Sequence, residues 1–201
     1  MNSGSVLTER ATTYLASLQR EEPMPTSAVE RLIDAEGVAA LPHWLSFHDQ
    51  FAGYWEDLGS GDVAIWGLAR LTEGIWCSPR SVGIYRTNGR VRGIACADVH
   101  PSHGYEMKPG GEVRTPHFSA ASFAVRVERL AAWHAFSLGG AFKPDLACES
   151  FSPEELEAAV TSLSESLLPE ASDEYARYYL SPSVIAFEAV ANGVLAVFRR
   201  A

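Results

Sequence analysis

The chain has 201 residues, is 47% hydrophobic and carries a formal net charge of −9. It can therefore bury a full core as one domain. Its acidic balance argues against a nucleic-acid or anionic-membrane surface, since both select for Lys and Arg, and no apolar run approaches the ~18 to 20 residues of a membrane span.

Met1-Asn2-Ser3-Gly4-Ser5 has neither a basic stretch nor an apolar one, so no secretory leader is expected and the chain reads as cytoplasmic. Leu7, Ala11, Tyr14, Leu15 and Leu18 recur at helical spacing and predict a first helix that stops before Pro23 and Pro25. Ser27-Ala28-Val29-Glu30 has capping-box spacing and predicts the start of a second helix, with Val29, Leu32 and Ile33 buried and Gly37 at its end. Leu41-Pro42 opens a third. Pro suits the first turn and Gly, here Gly53, the position past the last. Leu41, Trp44, Leu45, His48 and Phe51 share its apolar stripe.

From Asp62 the pattern changes. Val63 to Leu68 reads as a buried strand. Val82–Arg86 and Arg90–Ala95 flank Thr87-Asn88-Gly89, and Asn-Gly between apolar runs is a strong hairpin signal. His100 to Pro116, rich in Pro, Gly and His, reads as a long loop. Phe118 to Leu138 returns to helical spacing, closed by Gly139-Gly140. Ser152-Pro153-Glu154-Glu155 is a second capping box, opening a helix to about Leu168. Val184–Glu188 and Val194–Phe198 form a hairpin around Asn192-Gly193. Helices and antiparallel hairpins in separate blocks imply an α+β fold.

Few residues point to chemistry. Asp98, His100 and His103 offer a carboxylate and two imidazoles of the kind zinc or iron sites use. Pro101 interrupts any element that would hold them, and a solvated loop explains them equally. Cys77, with a histidine partner and Asp98 or Asp145 as orienter, has the makings of a thiol hydrolase. But Ser78-Pro79 supplies no helix N-terminus to depress its pKa, and a buried, inert thiol is the simpler reading. Cys77, Cys96 and Cys148 lack CxxC spacing and read as free thiols in a reducing compartment. His48, on the apolar stripe, reads as a hydrogen-bonded core histidine. Neither a phosphate-binding glycine loop nor a GxSxG elbow is present. No metal or other cofactor is expected.

The charge is unevenly spread. Residues 149–174 hold eight acids and no Lys or Arg. Arg70, Arg80, Arg86, Arg90 and Arg92 surround the first hairpin against Glu73 alone. Both patterns also have plain structural uses, the acids at a helix N-terminus and the arginines guarding an edge strand. As a functional surface, Glu154, Glu155, Glu157, Asp173 and Glu174 would meet a basic protein with salt-sensitive association.

Glu30-Arg31-Leu32-Ile33, then Leu41-Pro42, Trp44-Leu45, Phe47 and Phe51-Ala52-Gly53, resembles the N-terminal signature of the SMI1/KNR4 (SUKH) superfamily. Ala52 stands where the family usually has Asn. The resemblance covers about 25 residues by motif and the rest by element order. It implies a single α+β domain over residues 1–201, a mixed, largely antiparallel sheet with helices packed on it, and residues 1–24 readable as an appended helix. It also implies a non-enzymatic bacterial immunity protein that binds and neutralises a toxin, often a nuclease. Leu41, Pro42, Trp44 and Gly53 would then serve the fold. The alternative function is a small cytoplasmic enzyme with a thiol or metal site around Cys77, His100 and His103.

Overall fold

The computed structural model describes residues 6–59, 61–146, 153–191 and 194–200. The elements run α1 (Glu9–Ser17), α2 (Thr26–Ala35), α3 (Pro42–Phe51), β1 (Trp55–Gly59), β2 (Asp62–Trp66), β3 (Ile84–Thr87), β4 (Arg90–Ala95), β5 (Ala97–Asp98), β6 (Glu106–Met107), β7 (Val113–Arg114) and β8 (Ser119–Ala120). They continue with α4 (Phe123–Leu138), β9 (Phe142–Leu146), α5 (Pro153–Leu163), β10 (Ala176–Leu180), β11 (Val184–Ala189) and β12 (Val194–Arg200). The fold is α+β, with antiparallel pairing throughout the registered strands. Among the described residues no helix is long and apolar enough to cross a membrane.

The chain groups into two compact units, Leu18–Ser119 and Met1–Ser17 with Ala120–Ala201. In the first, α3 forms as its sequence dictates. Leu41 is extended at the N-cap and Pro42 follows at the first turn, where a missing N–H costs nothing. Trp44, Phe47, His48 and Phe51 are buried on the inner face. Phe47 replaces Leu45, which is half-buried, because Trp44, Phe47, His48 and Phe51 stand at i, i+3, i+4 and i+7 and make one stripe turned from the expected one. Gly53 then takes a left-handed φ of +89°, and its carbonyl accepts from Glu21 N–H at 3.0 Å. A Cβ there would overlap the Glu21 carbonyl oxygen. The capping box expected at Ser27 does not form. Pro25 occupies the N-cap without a side-chain cap, and the helix starts at Thr26.

Two sheets complete this unit. One has the order β1-β2-β5. The other runs β3-β4-β6-β7, continued by β8 where the chain leaves the unit. Asn88 (φ 51°) and Gly89 (φ 74°) turn the β3–β4 hairpin with both angles positive, matching the strands' twist. The segment read as a loop from His100 carries a 3-10 turn at Pro101–His103 and the short strands β6 and β7. Two-residue strands leave no alternation to read; they exist because the β4 edge offers pairing at Ile94↔Met107.

In the second unit a four-stranded sheet runs β10-β11-β12-β9. Alternate residues of β11 face opposite sides, as the pleat requires. Val184 and Ala186 pack with Tyr179, Leu195 and Val197 against Ala159, Val160 and Leu163 of α5. Ile185 packs with Ala132 and Phe136 of α4. The sequence carries no strand signal for β9 or β10, as Lys143 and Pro144 break the pattern of one and polar residues flank the other. α4 begins at Phe123 rather than Phe118, capped by the Ser122 hydroxyl accepting from Val125 N–H at 3.3 Å. α1 belongs to this unit. Its Thr8 donates N–H and hydroxyl to Glu128, both at 2.7 Å, and Tyr14 packs on His134. Ser152 and the Asn192-Gly193 turn lie outside the described residues.

Replacing Gly53 with Ala combines backbone strain with that overlap. Gly53→Ala should lower stability by ~2 kcal/mol or more, read by urea denaturation followed by tryptophan fluorescence. An unchanged midpoint would mean the Glu21 turn moves aside freely.

Candidate functional site

Pairing of β5 with β2 (Ile65↔Asp98) sets Asp98 inside its unit, 3% exposed. A buried carboxylate must be matched by donors, and four are present. Arg70 donates Nη1–H to it at 2.6 Å. The backbone N–H groups of Ile75, Trp76 and Cys77 donate at 2.8, 2.9 and 3.1 Å. Arg70 is held in turn by a two-pronged contact to Glu21, at 2.9 and 2.7 Å. Burial alone would raise the Asp98 carboxyl, but the Arg70 bond, the N–H groups of Ile75 and Trp76 and the Cys77 thiol outweigh it and hold it below its ordinary value. Asp98 is thus a structural anchor for residues 75–77.

Cys77 sits at the end of that turn. The residue is exposed, not buried as expected, but its thiol faces Asp98. Desolvation first, then the Asp98 charge and hydrogen bond, push the thiol up to about 11. A thiol so placed is a poor nucleophile. Cys96 is buried, and Cys148 lies outside the described residues. Asp145, the other proposed orienter, is on β9 in the other unit.

The histidines are engaged locally. His100 Nδ1 accepts from Ser102 N–H at 3.2 Å, with the Ser102 hydroxyl 2.6 Å away. Its ring meets Trp76 edge-on at 4.5 Å. His103 Nε2 lies 3.6 Å from Asp62. Among the described residues no group of three or more His, Cys, Asp or Glu converges to hold a metal ion. His48 is a core histidine, as its place on the stripe implied. Its Nδ1 accepts from Leu68 N–H at 3.1 Å, so Nε2 carries the proton toward the Met24 carbonyl at 2.8 Å. Burial lowers its pKa and keeps it neutral.

No family model, characterised protein or solved structure matches this chain. The reading of its surface therefore rests on its own geometry.

The five acids expected to face a partner divide. Glu154, Glu155 and Glu157 are exposed on α5, and Glu174 is exposed beyond it. Asp173 is instead turned inward. It accepts from the Arg129 guanidinium and from the N–H groups of Ala121, Tyr175 and Ala176, and its side chain is 4% exposed. An aspartate just before a strand is well suited to take up such orphan N–H groups, which is why it leaves the acidic face. Glu170 pairs with Arg10 at 2.6 Å. In the arginine-rich segment, Arg70 is used internally and Arg86 donates to the Glu36 carbonyl at 2.6 Å.

Sequence reasoning missed Ile75 and Trp76, which are 56% and 51% exposed. The available signal was two large apolar residues between Gly74 and Ser78-Pro79, outside any periodic run.

Peptide-resolved alkylation of Cys77 with iodoacetamide should rise with a midpoint near pH 11, and Asp98→Asn should move that midpoint down. A midpoint below 8.5, the ordinary thiol value, would contradict the assignment. Separately, Asp98→Asn should cost about 3 to 5 kcal/mol at neutral pH, since it leaves Arg70 short of a partner. A depressed carboxyl contributes stability above its unfolded value and loses it as pH falls through the folded one. The gap between wild type and variant in urea denaturation should therefore narrow from 3.8 downward.

Proposed function

We propose that this chain is a non-catalytic binding protein, an immunity protein of SMI1/KNR4-like type that neutralises a basic bacterial toxin by covering its working surface. The observation that carries the reading is the exposed acidic face of α5. Glu154, Glu155 and Glu157 point to solvent, within a segment of residues 149–174 that holds no Lys or Arg. Such a face steers a basic partner into encounter and accelerates association at low salt. Glu174 is exposed as well, while Asp173 serves the fold.

Support for the family reading comes from the motif that suggested it. Leu41, Pro42, buried Trp44 and left-handed Gly53 build one capped helix, as fold residues should. The reading carries with it a cytoplasmic site of action and no need for a cofactor. The thiol enzyme is less well supported, because burial and then the Asp98 charge push the Cys77 thiol up when a nucleophile needs the opposite.

The test is affinity capture of the tagged protein from its own host at low and moderate salt, beside the variant Glu154→Lys/Glu155→Lys/Glu157→Lys. One basic partner should co-purify stoichiometrically with the wild type. The variant should bind it about tenfold or more weakly, with a flatter salt dependence. No partner under conditions of toxin expression, or equal retention by the variant, would refute the reading.

A further inference from the structure

Residues 71–80 form a loop closed at its base, where Arg80 N–H donates to the Arg70 carbonyl at 3.0 Å. Its tip is held from within. Gly74 N–H donates to the Cys77 carbonyl at 3.0 Å, and the next three N–H groups converge on Asp98. The loop therefore presents Ile75 and Trp76 outward, more than half exposed, on an ordered backbone. Trp76 is steadied further by the edge of His100. Large apolar side chains left in water by a flexible loop are a liability. Fixed in place, they are binding anchors whose ordering cost is already met, and Trp and Arg are the residues most enriched at such anchors.

At the base of the same loop lies a groove of about 350 Å³, lined by Met24, Ala28, Leu32 and Leu71 with Arg31 and Arg80 beside them. Among the described residues neither of these two guanidinium groups has a hydrogen-bond or ion-pair partner. Arg90, on the adjoining hairpin, is exposed as well. Glu73 is the single acid between residues 71 and 97, and Glu30 and Asp34 are exposed on the helix that carries Arg31. On a chain of net charge −9, an apolar groove flanked by unpaired cations selects its occupant by charge.

We propose that the 71–80 loop and its groove form a docking surface for an acidic segment of a partner protein. An apolar or aromatic side chain of that segment enters the groove, its neighbouring carboxylates meet Arg31 and Arg80, and Trp76 packs over the segment. A nucleic acid fits less well, because a chain of net charge −9 repels a polyanion. This surface uses none of the α5 glutamates, so its success or failure is separate from theirs.

The probe is a fluorescent random copolymer of glutamate and tyrosine, added to the full chain in anisotropy titrations. Polyglutamate and an oligothymidylate serve as comparisons. The copolymer should bind more tightly than polyglutamate. Trp76→Ala and the pair Arg31→Glu/Arg80→Glu should each weaken it about tenfold or more. Both alter exposed side chains, and unchanged circular dichroism and urea midpoints will establish that they fold. The triple lysine variant of α5 should bind the copolymer undiminished. Absence of binding, or binding that ignores both variants, would overturn the proposal. Tighter binding of the oligothymidylate would overturn it in favour of nucleic acid. Self-association in sedimentation that Trp76→Ala abolishes would overturn it in favour of a second copy.

Discussion

The buried carboxylate of Asp98 organises the unit formed by residues 18–119. It sits on a two-residue strand that would be trivial on its own, yet four donors converge on it from Arg70 and the backbone of residues 75–77. A buried charge without partners is among the costliest features a protein can hold, so each donor is there of necessity. Arg70 transmits the constraint to Glu21, close to the turn where Gly53 crosses the Glu21 carbonyl. One charge thereby ties a loop, a strand and the segment before α2 into a single arrangement. It also bears on its surroundings, since burial and then the same carboxylate push the Cys77 thiol up, and the carboxylate accepts from the N–H of exposed Trp76.

The other unit repeats the device. Asp173 gathers the Arg129 guanidinium and three N–H groups, joining α4 to the approach to β10. Arg129 also donates to the Ala171 carbonyl at 2.9 Å. Both aspartates had looked available for function, one as a metal ligand and one on an acidic face. Both are instead structural for the same reason: a carboxylate accepts several N–H groups at once, and irregular backbone near a buried edge has N–H groups to satisfy. Once such carboxylates turn inward, the charge left on the surface differs from the raw charge pattern. Acid persists on α5, and Arg31 and Arg80, unpaired among the described residues, persist beside an apolar groove.

Local signals were legible where backbone chemistry dominates. Pro42 and Gly53 bounded α3, Asn88-Gly89 marked the hairpin, helical spacing located α1, α2 and most of α4, and the capping-box spacing at Ser152 with Pro153 pointed to α5. His48 was legible as a core residue from its stripe, although the carbonyl and N–H that fix its tautomer lie far along the chain. The signals failed where two uses competed for the same residues. Ser27 has the spacing of a cap, but Pro25 occupies the N-cap first. The 3-10 turn and paired strands after His100 are too short for any periodicity to register.

The amino-acid order alone established the α+β class, the capped aromatic helix, both hairpins and the segregation of charge, because each depends on a residue's own conformational preference or on neighbours within one turn. Tertiary structure alone decided which charges are usable. Whether Asp98, Asp173 or Arg70 faces water depends on donors and acceptors tens of residues away, and so does the acidity of Cys77. No local pattern records such pairings, since burial creates them and the free energy of an unpaired charge enforces them.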